Sequence, residues 1–198
     1  MAQQVNGYHS CPHNTYDDFR YYALTHGINV DYKYGNQCWD LLALLWRQYG
    51  LTLITRLSGN GSAYMCWTVS RALNAVPPFT AVYGVENIKR GDVLVFNKSS
   101  WSSNGHICLA DADYKDRYYY NGAWRLNCVG QNQGQGSGYG TPSNVSGINL
   151  STFLGIFRNT NWSSPPPPTP PVVYNKGKYN FVLYNRRKRQ DGQRHIYK

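Results

Sequence analysis

The stretch 34-YGNQCWDLL-42 joins a Gly-Asn turn to an apolar segment that continues to Arg47 and stops at Gly50. Leucines and a tryptophan recur in this segment at helical spacing, at positions 41, 42, 44, 45 and 46. This pattern predicts a buried helix with Cys38 in its first turn. The partial positive charge at a helix N-terminus favours the thiolate, which is the nucleophilic form of cysteine. The alternative is that Cys38 only packs as a small buried apolar residue.

The composition of the 198-residue chain indicates one ordinary domain with appendages. Charged residues make up only 15%, whereas the chain has 18 Tyr and 19 Gly, which suits a loop-rich mixed or β-rich fold better than a helical bundle. No apolar run approaches the length of a membrane span, so we do not expect membrane insertion. The N-terminal residues have neither the basic start nor the apolar core of a secretory signal, so we expect a protein that stays in the cytoplasm or leaves it without a signal.

The cysteines do not form a recognisable metal or disulfide pattern. The chain has five, an odd number, at positions 11, 38, 66, 108 and 128, and none of them has CxxC spacing. The sequence therefore predicts mostly reduced and buried thiols rather than a zinc site or a disulfide scaffold.

The periodicity of the chain changes from helical to extended after its first half. Asn14 or Thr15 can cap a helix across Tyr16 to Thr25, and Ser62 can cap another through Ala75. Runs typical of strands follow at 91–96, 105–110, 125–129 and 153–158, with a Gly/Ser/Asn loop over 134–146. Helices followed by an antiparallel sheet predict an α+β fold.

A proline-rich segment marks the end of the globular part. Six of the nine residues in 163–171 are proline, which favours an extended polyproline II spacer. We therefore divide the chain into an irregular lead-in over 1–14, a domain over 15–162, a linker over 163–171 and a basic tail over 172–198. The tail has eight Lys and Arg against Asp191 alone and is too short for a core of its own. Its alternating Tyr179, Phe181 and Leu183 predict a strand that docks on a partner.

Two further residues are of the right type to work with Cys38. A nucleophilic cysteine needs a base to take its proton and a third group to orient that base. His106 opens a predicted strand after Gly105, and a strand can face a helix N-terminus. Asn132 ends the next strand, where it could accept the second N–H of the imidazole. The alternatives are an ordinary surface or core histidine and an asparagine in an Asn/Gln-rich stretch.

The order of these blocks resembles the CHAP family, the cysteine, histidine-dependent amidohydrolases/peptidases. The resemblance covers roughly residues 15 to 160 and rests on YGNQCWDL at 34–41, GDVLVF at 91–96, GHI at 105–107, QNQ at 131–133 and FLGIFR at 153–158. It implies a papain-like α+β domain in which N-terminal helices pack on a C-terminal antiparallel sheet.

The resemblance also assigns roles to residues. It implies Cys38 as the nucleophile, His106 as the general base and Asn132 as the orienting residue. Backbone N–H groups at the start of the Cys38 helix would stabilise the oxyanion, with Gln37 nearby. The sequence departs from the family at Gly130, because many members carry Glu two residues before the Asn.

The loop before Cys38 has a counterpart in phage members that hold Ca²⁺ at this place. The aligned positions are Asn29, Asp31, Lys33, Gly35 and Asp40. Asp31 and Asp40 would offer carboxylates, Asn29 an amide oxygen, and the other two backbone carbonyls, all of which suit calcium. The resemblance thus implies a structural Ca²⁺, against the alternative that Asp40 only favours its own helix N-terminus.

By resemblance, the protein is a peptidoglycan hydrolase. It would cut amide bonds of the bacterial cell wall as an N-acetylmuramoyl-L-alanine amidase or as a stem or cross-bridge endopeptidase. The missing signal favours a phage product, either an endolysin held in the host cytoplasm until a holin releases it or a lysin of the virion tail. The rival hypothesis is a non-catalytic virion or wall-binding protein that keeps the fold, and Gly130 favours it.

The basic tail has more than one suitable partner. Peptidoglycan and teichoic acids are polyanionic and would attract it, and another virion protein could bind it. We do not expect nucleic acid, because the run RRKR at 186–189 is short, terminal and unaccompanied by a nucleic-acid-binding fold.

Overall fold

The computed structural model of the protein describes residues 3–7, 13–50, 62–68, 77–134, 138, 140–162, 172–176 and 179–183. The chain divides into two units, Met1–Ser163 and Ser164–Lys198. The helices are α1 (Tyr16–Thr25), α2 (Cys38–Gln48) and α3 (Met65–Thr68). The strands are β1 (Gln3–Asn6), β2 (His26–Asn29), β3 (Phe79–Val82), β4 (Val93–Phe96), β5 (His106–Ala110), β6 (Tyr118–Tyr120), β7 (Ala123–Gly130), β8 (Asn144–Asn149), β9 (Phe153–Asn159), β10 (Val172–Lys176) and β11 (Tyr179–Leu183).

The first two predicted helices are confirmed at nearly the expected bounds. The side chain of Thr15 caps α1 by accepting a hydrogen bond of 3.1 Å from the N–H of Asp18. Helix α2 begins at Cys38 itself, and its residues from Trp39 to Trp46 are all buried. Of the helix predicted from Ser62 through Ala75, α3 is seen, and residues 69–76 lie outside the described residues.

A seven-stranded sheet forms the second half of the first unit, Met1–Ser163. The strand order is β3-β9-β4-β5-β7-β6, and β8 pairs with β7. The pairings are antiparallel. The predicted α+β class is therefore confirmed, with helices first and an antiparallel sheet after them.

Both faces of the sheet are buried. Val93 and Val95 of β4 join a core that contains α1 and α2, while Leu94 and Phe96 join a second cluster on the other face. This alternation follows from the two-residue period of a strand. Helix α2 is thereby fixed against the face of the sheet that carries the odd-numbered residues of β4 and β5.

Three sequence-based predictions of irregular structure were wrong in part. Residues 3–6, assigned to an irregular lead-in, form β1 and pair in parallel with β2. Ile28 and Asn29, assigned to the acidic loop, belong to β2. The loop predicted over 134–146 gives way to β8 at Asn144, whose pairing with β7 compensates for a sequence of low strand propensity. Strands β3 and β6 of the main sheet were not predicted.

The described part of the second unit is a two-stranded antiparallel ribbon. Val172 pairs with Leu183 at one end and Lys176 with Tyr179 at the other. The strand predicted from the alternation at 179–183 is therefore present, paired with a strand of its own unit. Within the residues that the structure describes, no helix has the length and apolar character of a membrane span.

Candidate active site

Cys38 lies at the first position of α2, directly after a turn that holds the helix start. The carboxylate of Asp40 accepts a hydrogen bond of 2.8 Å from the N–H of Gln37 and another of 2.9 Å from the N–H of Val30. Asp40 is fully buried. Its carboxyl group therefore lies inside the first turn of α2, where the helix dipole favours the ionised form.

The thiol of Cys38 faces the interior between α2 and the sheet. It lines an apolar cavity of about 10 Å³ with residues of β4 and β5, among them Val93 and Ile107, although the residue as a whole is only half-buried. Burial raises the pKa of the Cys38 thiol to about 11, and hydrogen bonds from the backbone N–H groups of Ile107 and Trp39 oppose that rise. At neutral pH the resting cysteine is therefore a thiol.

His106 is the first residue of β5 and directly precedes Ile107, whose backbone contacts Cys38. Gly105 before it adopts a φ of +70°, and a Cβ there would lie 2.4 Å from the carbonyl oxygen of Phe96, so only glycine fits. The imidazole is buried, and half-exposed Trp101 packs edge-on against it with ring centroids 5.7 Å apart. Burial lowers the pKa of His106, and the hydrogen bond that its ring makes to Oε1 of Gln133 opposes that change. The resting histidine is neutral.

Cys38 lies next to the residue that follows His106, and not against His106 itself. The sulfur of Cys38 contacts Ile107, the residue after His106. Among the described residues, His106 makes no hydrogen bond to the thiol. Catalytic hydrogen bonds are often long in unliganded enzymes and shorten when substrate binds. The structure therefore places the sulfur of Cys38 beside the backbone next to His106, without showing a contact between the two side chains.

The hydrogen bond expected from Asn132 to the imidazole is made by its neighbour. Nε2 of His106 lies 3.0 Å from Oε1 of Gln133, and both side chains are buried. Asn132 is exposed, has a φ of +51° and donates through Nδ2 to Oε1 of Gln37 at 2.9 Å. Asn132 thus lies at the site but faces the turn before Cys38 instead of the histidine.

Gln37 uses both ends of its side chain within this turn. Its Oε1 accepts from Asn132, and its Nε2 donates to the carbonyl oxygen of Tyr34. At the start of α2, the backbone N–H of Trp39 interacts with the sulfur. The helix start can therefore supply donors for a developing oxyanion.

The predicted calcium loop offers two carboxylates that interact electrostatically and one buried amide oxygen. Oδ1 of Asn29 is buried and has no hydrogen-bond partner among the residues that the structure describes, and the negative charge of Asp31 acts on Asp40. Burial, with a contribution from Asp31, raises the pKa of Asp40 to about 7. A divalent cation would lower that pKa and satisfy the Asn29 oxygen. The donor set therefore fits calcium chemically.

The other two predicted calcium ligands, Lys33 and Gly35, would contribute only backbone carbonyls. Lys33 donates its N–H to Oδ1 of Asp31 at 2.8 Å, and Gly35 continues a left-handed turn with a φ of +72°. Across the residues that the structure describes, no cluster of three or more His, Cys, Asp or Glu side chains is suited to a metal. A cation here would thus depend on Asn29 and on backbone carbonyls beside the two carboxylates.

The comparisons with known proteins give a fold but not a family. No protein-family model and no curated protein matches the chain. Its structure is similar to that of the wild-type endolysin LysIME-EF1, with a TM-score of 0.51 and 22% sequence identity. The match covers 74% of this chain and 64% of that chain, so it spans slightly less than two thirds of the endolysin. The class that can be stated is an α+β domain with an endolysin-like fold.

Two residues of the site were missed by the sequence analysis. Gln133 lies in a Gly/Gln-rich segment without periodicity, so no local pattern separates it from Asn132 or Gln135. Trp101 carried a usable signal, because a tryptophan inside the polar run 97–105 just before a candidate histidine is unusual for a loop.

Proposed function

We propose that the protein is a cell-wall hydrolase of phage origin that cleaves amide bonds of peptidoglycan by a cysteine nucleophile. The observation that carries the proposal is the contact of the Cys38 thiol, at the start of a buried helix, with the backbone beside His106. The likeness of the fold to an endolysin supports the same conclusion. An amidase and an endopeptidase would both use this arrangement.

In the proposed reaction, His106 removes the proton from Cys38 as the sulfur attacks the amide carbonyl. Since the pKa of the thiol is raised and that of the imidazole is lowered, both groups are neutral at rest. Proton transfer therefore accompanies attack, which is general base catalysis. The protonated imidazole then gives the proton to the leaving amine, and water releases the acyl group from the sulfur.

We also propose that Ca²⁺ binds at the loop before Cys38. Asn29, Asp31 and Asp40 would hold it through side-chain oxygens, and Lys33 and Gly35 through backbone carbonyls. The buried Oδ1 of Asn29, which has no hydrogen-bond partner within the described part of the chain, supports this assignment. The ion would neutralise two carboxylates and stiffen the turn that leads into α2.

We propose that the basic tail over 172–198 attracts a binding partner and takes no part in the reaction. Its positive charge suits the anionic polymers of the wall or a partner in the virion. If the protein is an endolysin, it would stay in the host cytoplasm until a holin releases it. If it is a lysin of the virion tail, it would act on the cell wall from outside the host. A nucleic acid is not the proposed partner.

The experiment that tests the function is clearing of purified Gram-positive cell walls by the wild-type protein and by Cys38→Ala, with and without Ca²⁺. We expect clearing by the wild type and its loss in the variant. A wild-type protein that is inert on walls from several hosts under both conditions would instead favour the non-catalytic virion or wall-binding protein. Mass spectrometry of the released fragments identifies the bond that is cut.

A further inference from the structure

The amide of Gln133 is held in one orientation by three partners. Its Nε2 donates to the carbonyl oxygens of Cys128 and Asn144, each at 2.9 Å. A side-chain NH₂ has two hydrogens, and both are used here. The remaining atom, Oε1, can only accept, and it is the atom that lies 3.0 Å from Nε2 of His106.

This orientation determines which nitrogen of His106 carries the proton. Because Oε1 has no hydrogen to donate, the contact requires that Nε2 carry one. A neutral imidazole has one N–H, so Nδ1 is then the unprotonated nitrogen. Nδ1 is left as the atom that can accept a proton from a thiol.

The space that Gln133 occupies exists because residue 130 is glycine. A Cβ on Gly130 would lie 2.4 Å from Oε1 of Gln133 and 3.0 Å from the Cβ of Cys108. The side chain of Gln133 therefore folds back over the place where a residue at position 130 would carry its own side chain. The backbone carbonyl of Gln133 is fixed as well, by Nδ2 of Asn144 at 3.2 Å.

We propose that Gln133, seated over Gly130, is the residue that positions His106 and fixes its tautomer, and that Asn132 does not have this role. The proposal rests on the proposed function for its catalytic meaning, but the contact itself can be tested without any activity. It also removes the argument that Gly130 marks a non-catalytic protein, because the polar group that a side chain at 130 would supply is delivered from position 133.

The first test is nitrogen NMR of the imidazoles in the ¹⁵N-labelled full chain. The protein has five histidines, and the signal of His106 is the one that disappears in His106→Gln. We expect the neutral ring to carry its proton on Nε2 in the wild type, a measurement that needs no variant at position 133. A wild-type ring protonated on Nδ1 would overturn the proposal.

The second test compares variants at three positions by the same measurement. Gln133→Ala and Gly130→Ala should each lower the ratio of the Nε2–H to the Nδ1–H tautomer by roughly ten-fold, because each removes or displaces one buried hydrogen bond. Asn132→Ala should leave that ratio unchanged. A larger change in Asn132→Ala than in Gln133→Ala would contradict the assignment.

A rescue variant separates positioning from a merely structural role. In Gln133→Ala the space over Gly130 is open, so adding Gly130→Glu places a carboxylate beside the imidazole. The double variant should restore the Nε2–H tautomer and raise the pKa of His106, since a nearby negative charge favours the imidazolium. Gly130→Glu alone should clash with Gln133 and lower the tautomer ratio. If the double variant does not restore the Nε2–H tautomer, the proposed placement of the Gln133 side chain over Gly130 is wrong.

Wall clearing by the same variants then connects the contact to catalysis. Gln133→Ala should lower kcat by roughly 10- to 100-fold with little change in KM, as expected for impaired general base catalysis. The exposed Asn127→Ala on β7 should leave kcat unchanged. If the tautomer results hold while the wild-type protein clears no walls, the positioning role stands and the hydrolase function fails. If walls are cleared and Gln133→Ala clears them as fast as the wild type, the positioning role fails alone.

Discussion

The side-chain amide of Gln131 pairs with the backbone of Ile28 as a neighbouring strand would. Its Oε1 accepts from the N–H of Ile28 at 2.8 Å, and its Nε2 donates to the carbonyl oxygen of Ile28 at 2.9 Å. The same Nε2 lies 2.9 Å from the carbonyl oxygen of Gln37. One fully buried amide thus joins the end of β7 to β2 and to the turn before Cys38.

Gln131→Ala should destabilise the protein strongly. The substitution leaves the N–H and C=O of Ile28 buried without their partner, whereas the C=O of Gln37 keeps the N–H of Asp40. Orphaned buried polar groups cost about 1–3 kcal/mol each. We expect a loss of about 2–4 kcal/mol in the free energy of unfolding, measured by urea denaturation. Asn127→Ala, an exposed substitution on the same strand, should change it by less than about 0.5 kcal/mol. Equal midpoints for the two variants would refute this role of Gln131.

The parts of the fold that the sequence predicts are those whose signals are local. Thr15 caps α1 and the Leu/Trp pattern builds α2, because caps and helical periodicity act within a few residues. The β6–β7 hairpin also had a local signal that was not used. Asn121 and Gly122 have φ values of +49° and +78°, as the Asn-Gly pair of a two-residue hairpin loop requires.

The parts that could not be predicted depend on contacts between distant segments. Strand β8 is rich in small and polar residues, and it is a strand because β7 offers it a ladder from Arg125 to Gly130. Gln133 meets His106 only after β7 and β5 have paired and after Gly130 has left its space empty. Composition and spacing cannot distinguish Gln133 from the glutamines beside it.

Alkylation of Cys38 should rise with pH far above neutrality. Burial raises the pKa of its thiol to about 11, and the thiolate is the reactive form. The rate of reaction with iodoacetamide at Cys38 should therefore increase about ten-fold for each pH unit between 7 and 9, with no plateau in that range. Mass spectrometry of the Cys38 peptide measures the rate, and Cys38→Ser is the blank. A plateau reached by pH 7 would mean a preformed thiolate–imidazolium pair instead.

Wall clearing should remain active at a lower pH than is usual for an enzyme with a histidine base. The base must be neutral to accept a proton, and burial lowers the pKa of His106 below its usual 6.5. A lowered pKa keeps the imidazole neutral to lower pH, so the half-maximal point of kcat/KM should lie below pH 6.5. Initial rates in buffers of constant ionic strength measure the profile, since charge screening alters attraction to the wall. Half-maximal activity above pH 6.5 would contradict the neutral resting histidine.

Calcium should raise the melting temperature if Asn29, Asp31 and Asp40 hold it. A ligand present at 100 times its Kd stabilises the folded state by about 2.7 kcal/mol, which for a domain of this size corresponds to an increase in Tm of about 5–10 °C. Differential scanning calorimetry of the protein treated with EDTA and then loaded with Ca²⁺ measures the change.

Asp31→Asn should remove most of that increase, because it takes one carboxylate from the loop. Asp116→Asn makes the same charge change at an exposed position outside the loop, so its calcium-dependent increase in Tm should match that of the wild type. Mg²⁺ should substitute poorly, since it demands a tighter octahedral shell than a loop of amide, carboxylate and backbone oxygens provides. Identical melting curves with EDTA and with Ca²⁺ would refute the site, and the assignments of Cys38 and His106 would be unaffected because neither contributes an oxygen to it.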